Sequence, residues 1–214
     1  HKGEFIATRS QRLAWLTGFG GSAGIAIVMA EKAAIFVDGR YTLQVNAQVD
    51  TNVFLPRHIA ETPPDKWLQN AAHVGGKIGF DPWLHTPAGI KKFHEACAFA
   101  GAELIPVSEN QVDAVWLDQP PRPLGPVFAH PASFAGQTST EKRRLITENF
   151  MDSGTDAAVL TAPDSIAWLL NIRGSDVPNS PLALSYAVMD ATGYVDWYID
   201  PRKVLDSALQ ALDK

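Results

Sequence analysis

Asp38-Gly39-Arg40-Tyr41 sets a carboxylate and a guanidinium two residues apart, across a glycine, at the end of an apolar run. A charged pair flanking a glycine at a strand end can present its functional groups to a cleft. The same spacing also makes a strand-end turn closed by a local ion pair. Residue types alone leave both readings open.

Gly18–Gly24 (G-F-G-G-S-A-G) fits two catalytic patterns at once. Gly20-Gly21-Ser22-Ala23-Gly24 has the spacing of a nucleophile elbow, and Gly18–Ala23 that of a dinucleotide loop. Both need a strand before and a helix after. A dense run of Ile and Val follows instead, and no His is marked out as a partner for Ser22. The stretch reads as a glycine turn that lets backbones approach closely. The six His residues (1, 58, 73, 85, 94 and 130) show no ligand spacing, so neither a metal site nor a catalytic residue is expected within these 214 positions. Trp15 and Trp168 sit among apolar neighbours and are assigned to core packing. Asp176, after Gly174-Ser175, is expected to bond backbone donors in a turn.

The elements that must position these residues follow from periodicity and caps. Ala23–Ala30 and Ala33–Val37 read as strands of a hairpin around Glu31-Lys32. Helices are expected over Thr42–Val49 and Asp65–Ala72, and a strand over Lys77–Phe80. Thr86 with Pro87 opens a helix stopped by Gly101, and Glu103–Val107 is the next strand. Five of the fifteen prolines fall between Pro120 and Pro131, where neither a helix nor a central strand can persist. This predicts a first domain over 1–118, a proline-rich linker over 119–137 and a second domain over 138–214. In the second domain Thr138 and Glu141 form a capping box for a helix ending near Gly154. Strands over Ala157–Thr161, Ala183–Met189 and Tyr194–Ile199, a helix opened at Pro163, and a final helix over Pro201–Leu212 complete it. The mixture favours an α/β or α+β sandwich.

The two halves repeat. Arg12–Ser22 (R-L-A-W-L-T-G-F-G-G-S) and Ser165–Ser175 (S-I-A-W-L-L-N-I-R-G-S) align at a constant offset, and Asp38 with Arg40 reappears as Asp200 with Arg202. Two copies of one domain are expected. The mild net charge of −5 argues against nucleic-acid or anionic-membrane binding, which would need clustered Lys and Arg to neutralise phosphate. A single cysteine permits no internal disulfide, and no apolar run is long enough to span a bilayer. A cytoplasmic location is the default. The chain starts abruptly, and further residues are expected beyond both ends.

Arg12–Gly24, Val37–Tyr41 with Gln44, and Ile166–Val177 resemble the three-domain Xaa-Pro aminopeptidases of the creatinase/prolidase superfamily. Gly79–Pro82, Asn110–Asp113 and Trp116–Pro123 add to the likeness, and Gly20 departs from it. The resemblance implies an α/β fold of two tandem creatinase/prolidase N-terminal-like domains, each a mixed sheet flanked by helices. It implies that the hydrolytic centre, with two divalent metal ions, typically manganese, belongs to a C-terminal catalytic domain outside this chain. It also implies a homodimer and a peptide substrate with proline in second position. By the same resemblance Arg40, supported by Asp38, contacts substrate. The alternative is a catalytically dead relative that recognises protein partners, and retention of Asp38-Gly39-Arg40-Tyr41 favours the first reading.

Overall fold

Gly24–Val28 and Ala33–Val37 are built from small and β-branched apolar residues, and they form β1 and β2 of an antiparallel hairpin in which Gly24 faces Val37. A computed structural model shows this arrangement and describes His1 and residues 3–212. Two units result, one of Gln11–Gln119 and one of His1–Ser10 with the chain from Pro120 onward.

In the first unit every residue of β2 is buried, because β2 is the central strand. Its second neighbour, β3 (Phe54–His58), runs parallel to it. Pro56 sits within β3, which is tolerated at a sheet edge where no ladder partner asks for its missing N–H. Helix α1 (Arg12–Thr17) ends on Gly18 at φ +80°, and α2 (Thr42–Gln48) follows β2. Phe19, Ile35, Val37, Val45 and Phe54 pack together between these elements. After α3 (Pro64–Ala71), strands β4 (Lys77–Phe80) and β5 (Glu103–Pro106) pair in parallel through α4 (Pro87–Phe99), which Thr86 caps and Gly101 terminates at φ +70°. Helix α5 (Gln111–Val115) is tied to α1 by a two-pronged Arg12–Asp113 ion pair at 2.7 Å.

The second unit begins within the expected linker. Val127 is 1% exposed, and β6 (Phe128–Ala129) pairs with β8 (Ile172–Arg173). The prolines flank Val127–His130 without occupying it, so its backbone donors remain available: Val127 N–H donates to Lys203 and His130 N–H to Asn171. Residues 119–137 therefore build the unit, including α6 (Ala132–Ala135). Residues 1–10 group with this unit by contact, where Arg9 donates to the Pro120 carbonyl at 2.8 Å and His1 stacks on Tyr186.

Helix α7 (Ser139–Ser153) opens on the Thr138–Glu141 capping box and closes on Gly154. Strands β7 (Ala157–Leu160), β9 (Tyr186–Asp190) and β10 (Val195–Tyr198) form an antiparallel sheet in the order β10-β9-β7, with α8 (Pro163–Leu169) beside it. Two expectations give way. Strand β9 starts at Tyr186, since Leu184 N–H is taken by Asp176. The final helix breaks into a 3-10 turn over Pro201–Lys203 and a short α9 (Asp206–Ala211), because the Asp200 carboxylate captures Arg202 N–H and Val204 bridges to Val127.

Both units thus contain a hairpin leading into an Asp-x-Arg turn. They differ in the third strand: β3 lies beside β2 in the first, whereas β7 lies beside β9 in the second.

Candidate functional site: the Asp38–Tyr41 turn

The buried run of β2 delivers Asp38 to the strand's carboxyl end. There its side chain caps a 3-10 turn over Gly39–Tyr41 by accepting from Arg40 N–H at 3.0 Å. The same carboxylate accepts from Arg40 Nε at 3.1 Å and Nη2 at 2.8 Å. The Arg40 side chain is 62% exposed, and its guanidinium also lies over the Tyr41 ring at 5.1 Å. One short stretch therefore fixes the arginine on two sides. The hydrogen bonds from the Arg40 side chain, then its backbone, hold the Asp38 carboxyl below its ordinary range, so the pair is ionised near neutrality.

Tyr41 fastens the turn to the glycine loop. Its hydroxyl lies 2.7 Å from Ser22 Oγ and accepts from Ser22 N–H at 3.2 Å, and the Ser22 hydrogen bond pulls the phenol below its ordinary value. Ser22 is thereby a structural tether, followed by β1 and not by the helix a nucleophile elbow requires. Gly18 is required twice over. Its φ of +80° is left-handed, and a Cβ there would stand 2.8 Å from the Gln48 carbonyl oxygen.

A third group stands beside the turn. His58, the last residue of β3, is registered opposite Val37. Its Nε2 lies 3.5 Å from where a Cβ on Gly39 would be. Its Nδ1 accepts from Ala60 N–H at 3.2 Å. Sequence reasoning passed over His58, since its nearness to Asp38 arises only from the parallel register of β2 and β3.

The second unit reproduces the turn. Asp200 accepts from Arg202 N–H at 3.0 Å, Nε at 2.9 Å and Nη2 at 2.5 Å, with the Arg202 side chain 67% exposed. These bonds hold the Asp200 carboxyl at about 2 and raise the Arg202 guanidinium. The surroundings differ. Where the first unit has Tyr41 hydroxyl-bonded to Ser22, the second has Lys203 in a buried ion pair with Asp176 at 2.5 Å. Asp176 accepts backbone N–H groups as expected, from Gly125 and Leu184. Its lysine partner, distant in sequence, was not foreseen.

The tryptophans correct an expectation. Trp15 is 40% exposed and stacks on Trp116 at 5.4 Å, while Trp168 is 50% exposed beneath Lys142 Nζ at 4.7 Å. Helix α8 turns Ile166, Ala167 and Leu169 inward, which leaves Trp168 on the outer side. A mainly apolar cavity of about 530 Å³ runs along Ile25–Ala30 and Lys77–Asp81, and no residue of the Asp38 turn lines it. Among the described residues no group of three or more His, Cys, Asp or Glu side chains could hold a metal ion, and no helix is long and apolar enough to cross a membrane.

These features define a duplicated α/β scaffold with one ion-paired Asp-x-Arg turn in each unit. Residues 4–115 and residues 118–214 each match the creatinase/prolidase N-terminal domain, and the chain belongs to that family. It is 38% identical over 207 residues to a probable Xaa-Pro aminopeptidase P of Aspergillus niger, covering 95% of this chain and 34% of that protein. Xaa-Pro aminopeptidase 2 of Sus scrofa is 38% identical over 192 residues, covering 88% of this chain and 28% of that protein. The solved X-prolyl aminopeptidase of Caenorhabditis elegans, described as a cytosolic enzyme with a di-nuclear active site, superposes with a TM-score of 0.88 at 32% identity. That match covers 98% of this chain and 34% of the other. The chain spans about a third of the length of these relatives.

Proposed function

We propose that these residues form the non-catalytic N-terminal part of an Xaa-Pro aminopeptidase, which releases the first residue from peptides with proline in second position. The observation that carries the reading is the near-complete match of the chain to relatives of that name, extending through both N-terminal domains. Among the described residues no group of donors fits a metal centre, and the reading assigns hydrolysis and its divalent ions, manganese by expectation, to a C-terminal catalytic domain of the full-length protein. A cytoplasmic homodimer is part of the same proposal.

The work left to this chain is to bind and orient. Arg40 donates a charge-assisted hydrogen bond to an oxygen of the bound peptide, Asp38 holds the guanidinium in the required plane, and the Tyr41 ring supports it. Pre-positioning of this kind lowers the entropy lost when substrate is fixed. In the full-length protein, Arg40→Ala should cut kcat/KM for an Xaa-Pro peptide by about tenfold or more, the scale of a lost charge-assisted bond, with no greater loss of melting temperature than Arg202→Ala. Arg202→Ala is the internal control, since it removes the same ion pair from the other copy. Equal kinetics for the two variants would reduce Arg40 to a turn-former.

A further inference from the structure

The duplicated turn separates architecture from use. An Asp-x-Arg turn with the same bonds occurs in both units, so the ion pair itself is part of how either domain closes its hairpin. What the first copy has and the second lacks is a parallel strand beside the hairpin's second strand. β3 flanks β2, whereas β10 is an edge. The carboxyl ends of adjacent parallel strands are where open α/β sheets place their ligands, and β3 carries His58 to that end. The ladder closes there with Ile59 N–H donating to the Val37 carbonyl at 2.9 Å.

The imidazole is held in one sense. Because Nδ1 accepts from Ala60 N–H, the proton of the neutral ring is assigned to Nε2, the nitrogen on the Gly39 side. The half-buried ring thus aims an N–H donor past the residue between Asp38 and Arg40, and among the described residues Nε2 has no hydrogen-bonding partner. A glycine at 39 keeps any side chain from standing in front of it.

We propose that His58 is a second substrate-binding donor of the Arg40 site, its Nε2–H bonding a carbonyl or carboxylate oxygen of the peptide that Arg40 also holds. This rests on the reading of Arg40 given above. The test is steady-state kinetics of the full-length protein on an Xaa-Pro tripeptide supplied both as the free acid and as the C-terminal amide. His58→Ala and His58→Met should each lower kcat/KM roughly fivefold, the scale of one neutral hydrogen bond. His58→Gln, which restores an N–H donor, should stay within about twofold of wild type. The methionine variant preserves side-chain bulk should the alanine variant fail to fold. Losses confined to the acid would identify the C-terminal carboxylate as the acceptor, and equal losses on both peptides a backbone carbonyl. If Arg40→Ala impairs turnover while all three His58 variants match wild type, the proposal for His58 fails and that for Arg40 survives. If Arg40→Ala is also silent, both fall.

Discussion

At the scale of single residues, the two Asp-x-Arg turns are alike in bonding and unlike in neighbours, and the neighbours decide what each can do. Asp200 shows the structural side. Its carboxyl is lowered from 3.8 to about 2, first by the Arg202 side chain and then by the Arg202 N–H. A group depressed on folding binds fewer protons than its unfolded counterpart, so its contribution to stability is present above about pH 4 and is lost as pH falls toward about 2. Asp200→Asn should therefore flatten the decline in melting temperature over that window and leave its slope near neutrality unaltered. A series of thermal melts between pH 2 and 7 measures this. Asp38 and Arg40 were legible in the sequence because their spacing is local and stands at the end of an apolar run. His58 and the Asp176–Lys203 pair were not, since each depends on which strand or loop lands beside another after folding.

Among elements, those with chemical punctuation were legible and those defined by partners were not. Helix α4 announces itself through Thr86, Pro87 and Gly101, and α7 through its capping box, because caps satisfy backbone donors that have no partner within the helix. Strand β3 was hidden by Pro56, and β6 and β8, at two residues each, are too short to show any periodicity. The last helix was overextended, since apolar spacing after Pro201 could not reveal that Asp200 would take the Arg202 N–H. The glycine loop before β1 carries its own test. Gly18 and Gly136 both have φ near +80°, but a Cβ at Gly136 meets nothing within 4 Å, whereas at Gly18 it meets backbone at 2.8 Å. Gly136→Ala should cost about 1 kcal/mol for the strained backbone alone, and Gly18→Ala clearly more, because α2 must also move. Chemical denaturation of both variants gives the comparison, and equal costs would mean that the loop does not rest against α2.

For the whole molecule, duplication explains the layout. One hairpin-and-turn unit appears twice, once elaborated with β3, His58 and the Tyr41–Ser22 tether, and once locked by a buried lysine–aspartate pair. The repeat itself was visible as a fixed offset between two tryptophan-containing segments, although the tryptophans proved to be half-exposed and not core residues. The contacts that group residues 1–10 with the second unit are long-range, and no local pattern encodes them. The most direct measurement compares release of the first residue from an Xaa-Pro peptide by residues 1–214 alone and by the full-length protein, both supplied with manganese. Turnover by the full-length protein and none by the 214-residue chain is the expected result. Metal-dependent turnover by the short chain, or a well-folded full-length protein that leaves the peptide intact, would contradict it.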